Sequence, residues 1–321
     1  MKVSDIPFSP FNIAENEEAV IRIIHKIGPL NPKHFQALGK SVRDLAYRLQ
    51  HTKPEVFNIL SCEGFYEQYH YGMNLTVIFR TPPDFDNPQS LRDQLINNAE
   101  PAPVSERLSV AQELAKALGY AHALGFAHID VHPENIIRLQ TRDKNGSSAF
   151  LAALVRARDD NLSPDGEIPI ERSVYRHPST QHMDVVKVPI LRHDIYSLGV
   201  CLLEIGLWQS FISYDAHTMR TTLSRITGIA DDASEGEMEQ FLFKLAKRRF
   251  IGLTRNELCD SIGIEYSEIV EMCSICLDPY NSCGVPCEFE TDEYDIQVGV
   301  KYIEKILQQL DRLYANIQIS D

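Results

Sequence analysis

The sequence predicts an α+β fold in two parts, and three observations carry that prediction. Strand-like and helix-like runs alternate in the first eighty residues, a polar, proline-rich stretch at 81–88 interrupts them, and the chain beyond turns helix-rich. With 321 residues, 44% of them hydrophobic, it is long enough to bury one large core or two modest ones.

Before the interruption, the apolar run 19–27 reads as a strand, 33–50 as a helix, and 56–60 and 75–79 as two further strands. Beyond it, Leu108, Ala111, Leu114, Ala115, Leu118 and Ala121 recur at spacings of three and four, and Gly125 stands where that helix would end. Strand-like pieces at 136–139 and 150–155 flank the polar run TRDKNGSS, which reads as a hairpin loop. Further helices are expected at 194–208, 237–248, 266–277 and 294–317.

Charge and composition narrow the function classes. Lys and Arg total 31 against 45 Asp and Glu, and the net charge of −14 disfavours nucleic acid and anionic membrane as partners. The first thirty residues lack the pattern of a secretory signal, and the longest apolar run, 195–212, is interrupted by Glu204 and Gln209 and reads as a buried helix, not a membrane span. Seven cysteines, an odd number without a signal peptide, predict reduced thiols and a cytoplasmic location.

Directly after the helix ending near Gly125 stands His128-Ile129-Asp130-Val131-His132-Pro133-Glu134-Asn135, followed by a short strand. It resembles the protein-kinase catalytic loop H-R-D-L-x-x-x-N, with His, Asp and Asn at matching positions. Asp194-Ile195-Tyr196-Ser197-Leu198-Gly199-Val200 resembles the kinase helix whose opening Asp holds the catalytic-loop backbone, and Tyr175-Arg176-His177-Pro178-Ser179 resembles the segment ending in A-P-E. The three motifs stand in kinase order over residues 104–208, and LGFAHIDVHPENII and VFNILSCEGF resemble divergent kinase-like proteins of filamentous fungi. The resemblance implies a bilobal, protein-kinase-like α+β fold: a truncated N-lobe over 1–80, a hinge at 81–88 and a helical C-lobe over 89–317.

It also assigns roles. Asp130 matches the base that accepts the substrate hydroxyl's proton and Asn135 the ligand of the second Mg²⁺. His128 and Asp194 match structural positions, His128 packing in the core and Asp194 holding loop backbone. Lys26 is the counterpart of the strand lysine that pairs the α- and β-phosphates, but the only acid between 27 and 54 that could pair with it is the short Asp44. Eighteen residues without a glycine precede Ala19, leaving no room for a Gly-rich loop between two strands. Aligning 151–158 with the D-F-G region puts Ala153 where the metal-holding Asp belongs, and a methyl group cannot ligate Mg²⁺; the alternative register takes Asp159. His132 replaces the catalytic-loop lysine, Ile129 the arginine that receives a phosphorylated activation loop, and Ser179 the A-P-E glutamate.

Bland readings stand beside these. Asp130 and Asn135 can both serve a tight loop by hydrogen-bonding backbone, and Lys26 reads by its neighbours as a strand-end surface lysine. Cys273, Cys276, Cys283 and Cys287 form C-x2-C-x6-C-x3-C, a spacing open to tetrahedral zinc, although no His follows His217 and the first two cysteines also suit a buried helix as small apolar groups. The acidic run 288–295 reads as a solvated connection. The expectation is a pseudokinase that works as an interaction or regulatory module for a protein partner, without cofactor. The alternative is a divergent Ser/Thr kinase using ATP and Mg²⁺, with Asp130 as base, Asn135 and Asp159 on metal, and Lys26 and His132 near phosphate.

Overall fold

The computed structural model describes residues 2–69, 72–97, 100–152, 168–181, 191–215, 220–278 and 296–320. The fold is mixed α and β with antiparallel sheets. The chain divides into two compact units, the first made of Met1–Gln94 and Pro133–Glu167, the second of Leu95–His132 and Ile168–Asp321.

The first unit opens with β1 (Lys2–Asp5), β2 (Phe11–Glu15) and β3 (Ile21–Leu30), continues through α1 (Pro32–Leu49) and α2 (Pro54–Phe57), and adds β4 (Ser61–Gln68) and β5 (Met73–Arg80). These strands form one antiparallel sheet in the order β1-β2-β3-β5-β4. Asn31 caps α1 by accepting the His34 N–H at 2.9 Å, and Pro32 starts the helix with its fixed φ. The stripe Phe35, Leu38, Val42, Leu45 and Leu49 is buried, and α1 packs on β4 and β5.

Three local expectations are corrected here. Residues 2–15, expected to leave no room for a loop between two strands, do form a strand pair, and Phe8, at φ 50, turns the connection without a glycine. Residues 56–60 are not a strand. Pro54 opens the short α2, Asn58 closes it in the left-handed conformation that Asn tolerates, and only Ile59 bridges to Leu151. The stretch 81–88 is not all linker, because β6 (Phe85–Ser90) begins within it, leading into α3 (Leu91–Asn97). Strand β6 pairs with β7 (Ile136–Thr141), which pairs with β8 (Ser147–Leu151) across the expected hairpin. Residues 153–155, expected to extend that last strand, lie outside the described residues.

The second unit is helical. It holds α4 (Val104–Ala123), the short α5 (Ile170–Ser173), α6 (Leu191–Leu207), a two-stranded pair of β9 (Ile212–Tyr214) and β10 (Thr221–Leu223), then α7 (Glu235–Lys244), α8 (Ala246–Leu253), α9 (Cys259–Ile262), α10 (Ile264–Ser274) and α11 (Ile296–Ser320). Every residue of 194–207 is buried, as a helix apolar on all sides must be, and α6 packs against α4, α10 and α11. Gly199 and Gly206 let α10 approach: a Cβ on Gly199 would lie 2.6 Å from the Cβ of Cys273, and one on Gly206 2.7 Å from the ring of Tyr266. Residues 237–248, expected as one helix, divide at Leu245, whose φ of −121° ends α7 and starts α8. No helix among the described residues is long and apolar enough to cross a membrane.

Candidate functional site

The segment 128–132 follows α4, which Gly125 closes at φ 76. Its conformation is set from α6. Asp194, 1% exposed, accepts the His128 N–H and the Ile129 N–H at 2.7 Å each, and His122 Nε2 lies 3.0 Å from the same carboxylate. Ile129 sits at φ 69, a left-handed conformation that costs a β-branched residue about 1–3 kcal/mol. Two charge-assisted hydrogen bonds to adjacent amides offset that cost and fix the loop. His128 is buried beside this cradle.

Asp130 is 7% exposed, and its Oδ2 lies 3.3 Å from His132 Nε2. Its charge also acts on Arg176: burial lowers the affinity of that guanidinium for its proton, and the Asp130 carboxylate raises it. Asp130 therefore stands with its carboxylate against the His132 ring of its own unit. The ring of His132 lies against Tyr175, 5.9 Å between centroids. Tyr175 is fixed in turn: its hydroxyl donates to Glu204 Oε2 at 2.6 Å, its carbonyl accepts from Ser197 at 2.7 Å, and Glu204 Oε1 accepts the Phe211 N–H at 2.6 Å.

Asn135 belongs to the first unit. It ends the helical turn Pro133–Asn135, is fully buried, and its carbonyl accepts the Ala152 N–H at 3.0 Å. The neighbouring Glu134 carbonyl accepts from Ser9 Oγ at 2.7 Å, and the Ser90 hydroxyl donates to the Pro7 carbonyl at 2.6 Å. The β1–β2 connection, Ile6-Pro7-Phe8-Ser9-Pro10, is thus tied at two points to its own unit. Lys26 is exposed on β3, and among the described residues neither it nor the exposed Asp44 makes an ion pair. Ala153 and Asp159, the two candidates for the metal-holding position, lie outside the described residues.

No family model and no curated protein matches this sequence. The candidate site therefore rests on its own geometry. That geometry brings Asp130, His132, His128 and Asp194 together in the second unit and adds four residues without a role in the sequence reading: His122, Tyr175, Arg176 and Glu204. Tyr175 and Arg176 lie inside one matched motif and Glu204 in the run that continues another, whereas His122 carries no signal in the sequence.

Cys273 and Cys276 are fully buried, the Cys276 thiol lying 3.2 Å from the Arg192 carbonyl, while Cys283 and Cys287 lie outside the described residues. Among the described residues no group of three or more His, Cys, Asp or Glu is placed to hold a metal ion. Burial pushes the Cys62 thiol up to about 11 and raises those of Cys273 and Cys276 well above the usual range. Because the thiolate is the nucleophile, these three should resist iodoacetamide in the folded chain at mildly alkaline pH, whereas the half-buried Cys259 should react. Peptide mass mapping reads the result, and labelling of Cys273 or Cys276 as fast in the native as in the unfolded chain would contradict their packing.

Proposed function

We propose that the chain is a catalytically degenerate protein-kinase-like domain of bilobal α+β build, acting as an interaction or regulatory module for a protein partner. The kinase-like half of the reading is supported by Asp194 beneath the His128–Asp130 backbone, and by β3, which carries Lys26 and leads into α1.

The observation that carries the degenerate half is the β1–β2 connection. A loop that wraps phosphates needs close backbone approach and free N–H groups, which glycines supply. Here Pro7 and Pro10 have no N–H to give, Ile6 is buried, and Pro7 and Ser9 are hydrogen-bonded to Ser90 and Glu134. The exposed Lys26, which makes no ion pair among the described residues, supports the same reading.

The test uses nucleotide and transfer together. A ligand present at 100 times its Kd stabilises a fold by about 2.7 kcal/mol, well within reach of a thermal melt. Millimolar Mg²⁺–ATP is expected to leave the melt unchanged, and radiolabel transfer to a generic protein acceptor is expected to be the same, at background, for the native chain and Asp130→Asn. A Mg²⁺-dependent shift, with transfer that collapses in Asp130→Asn while the circular dichroism is unchanged, would overturn the proposal. It would identify an ATP-dependent Ser/Thr kinase with Asp130 as base.

A further inference from the structure

The second unit contains an open groove of about 1080 Å³ between the α7–α8 pair and the loop that precedes α7. One wall is a helical stripe, Glu237, Phe241, Lys244, Leu245, Arg248 and Gly252, at spacings of one, three or four that continue across the break at Leu245. The facing wall carries Ile229, Ala230 and Ala233 beside Asp232, and turns at Gly228, φ +88. The break has a consequence for the surface. It keeps Met238, Phe241, Ala246 and Phe250 in the core but leaves Leu245 54% exposed in the groove.

Charge distinguishes this groove from the rest of an acidic chain. Lys244 and Arg248 stand exposed on its wall and make no ion pair among the described residues. The neighbouring cations are engaged: Lys247 with Asp278, Arg225 with Asp231, and Arg249 with Glu257 at 3.8 Å. Of the two carboxylates in the lining, Glu237 closes the α7 capping box, accepting the Ser234 N–H at 2.8 Å, and Asp232 lies on the opposite wall.

We propose that this groove docks an acidic protein segment that carries an apolar anchor, its side chain lying on Leu245 and Phe241 and its carboxylates meeting Lys244 and Arg248. A net charge of −14 repels an extended polyanion such as nucleic acid or an anionic bilayer. A short segment avoids most of that repulsion, because at physiological ionic strength it senses charges only within about 8 Å. An apolar floor also suits a side chain and not a phosphate backbone. The inference stands on the groove's own chemistry and does not rest on the kinase-like reading.

Gly252 supplies the test. A Cβ built there meets nothing within 4 Å and Gly252 lines the groove, so Gly252→Tyr is expected to fill it, and Tyr suits a helical position better than Gly. The probe is a short fluorescein-labelled peptide with a Leu-Phe pair flanked by glutamates, read by anisotropy against the full chain. Controls replace its glutamates by lysines or its Leu-Phe by Ser-Ser. Saturable binding is expected for the first peptide alone, weakening as salt rises. Lys244→Glu combined with Arg248→Glu is expected to weaken it about tenfold, and Gly252→Tyr to abolish it with the melt unchanged. The proposal is overturned if the peptide does not bind, or binds all variants alike. It is equally overturned if phosphatidylserine vesicles or single-stranded RNA bind more tightly through the same two cations, or if the chain self-associates through a contact that Gly252→Tyr breaks.

Discussion

Asp194→Ala is expected to destabilise the chain by about 3–5 kcal/mol and to lower its unfolding midpoint by roughly 10 °C. The carboxylate is 1% exposed and serves three groups at once, the amides of His128 and Ile129 and the ring of His122. Its removal leaves two backbone donors and an imidazole without their acceptor in a site that water does not reach, and each such orphan costs about 1–3 kcal/mol. The contributions do not simply add, because the loop relaxes once Ile129 is released from φ 69. Asp194→Asn keeps the shape and one acceptor and should lose less. Asp130→Asn, which keeps the side chain's volume and one carbonyl acceptor, should shift the melt far less than Asp194→Ala. An unchanged midpoint for Asp194→Ala would remove the structural basis for comparing the 128–135 segment with a catalytic loop.

Glu204→Ala is expected to cost about 2–4 kcal/mol. Glu204 is fully buried in α6 and joins two distant pieces of chain, the Tyr175 hydroxyl and the Phe211 amide, each at 2.6 Å. Glu204→Gln keeps the volume and one good acceptor, so it should recover most of the loss, and Tyr175→Phe, which deletes one hydroxyl, should cost only about 1 kcal/mol. The order Glu204→Ala, Glu204→Gln, Tyr175→Phe, read from urea midpoints at constant m, distinguishes a hydrogen-bonded anchor from a poorly tolerated charge. If Glu204→Ala were instead stabilising, burial of the carboxylate would be a net cost that its partners do not repay.

Period alone placed the long helices. The spacing from Leu108 to Ala121 predicts α4, and all six of those residues are buried, because a helix that lies on a core must repeat its apolar contacts every three or four residues. The same holds for α1, whose buried stripe lies within 33–50. Short or edge elements escaped this logic. Strand β1, exposed at every residue, has no buried face to impose an alternation, and β6 reads as polar because a ladder with β7 needs only backbone groups. At 56–60 an apolar run was ambiguous between strand and turn, and Pro54 and Asn58 decided it locally.

The sequence by itself determined the order of the three motifs and the identity of Asp130, Asn135 and Asp194, since those depend on spacing along the chain. Only the tertiary structure decided what each side chain meets. Asp194 reaches amides 65 and 66 residues away and Glu204 a hydroxyl 29 residues away. The approach of Asp130 to His132 depends on where the 128–132 loop comes to rest. The exposure of Leu245 in the α7–α8 groove likewise comes from a helix break that the apolar pattern of 237–248 does not contain. Period and spacing are local properties of a chain. The partners of a buried charge, and the face a broken helix turns to water, are set by which distant segments fold against it.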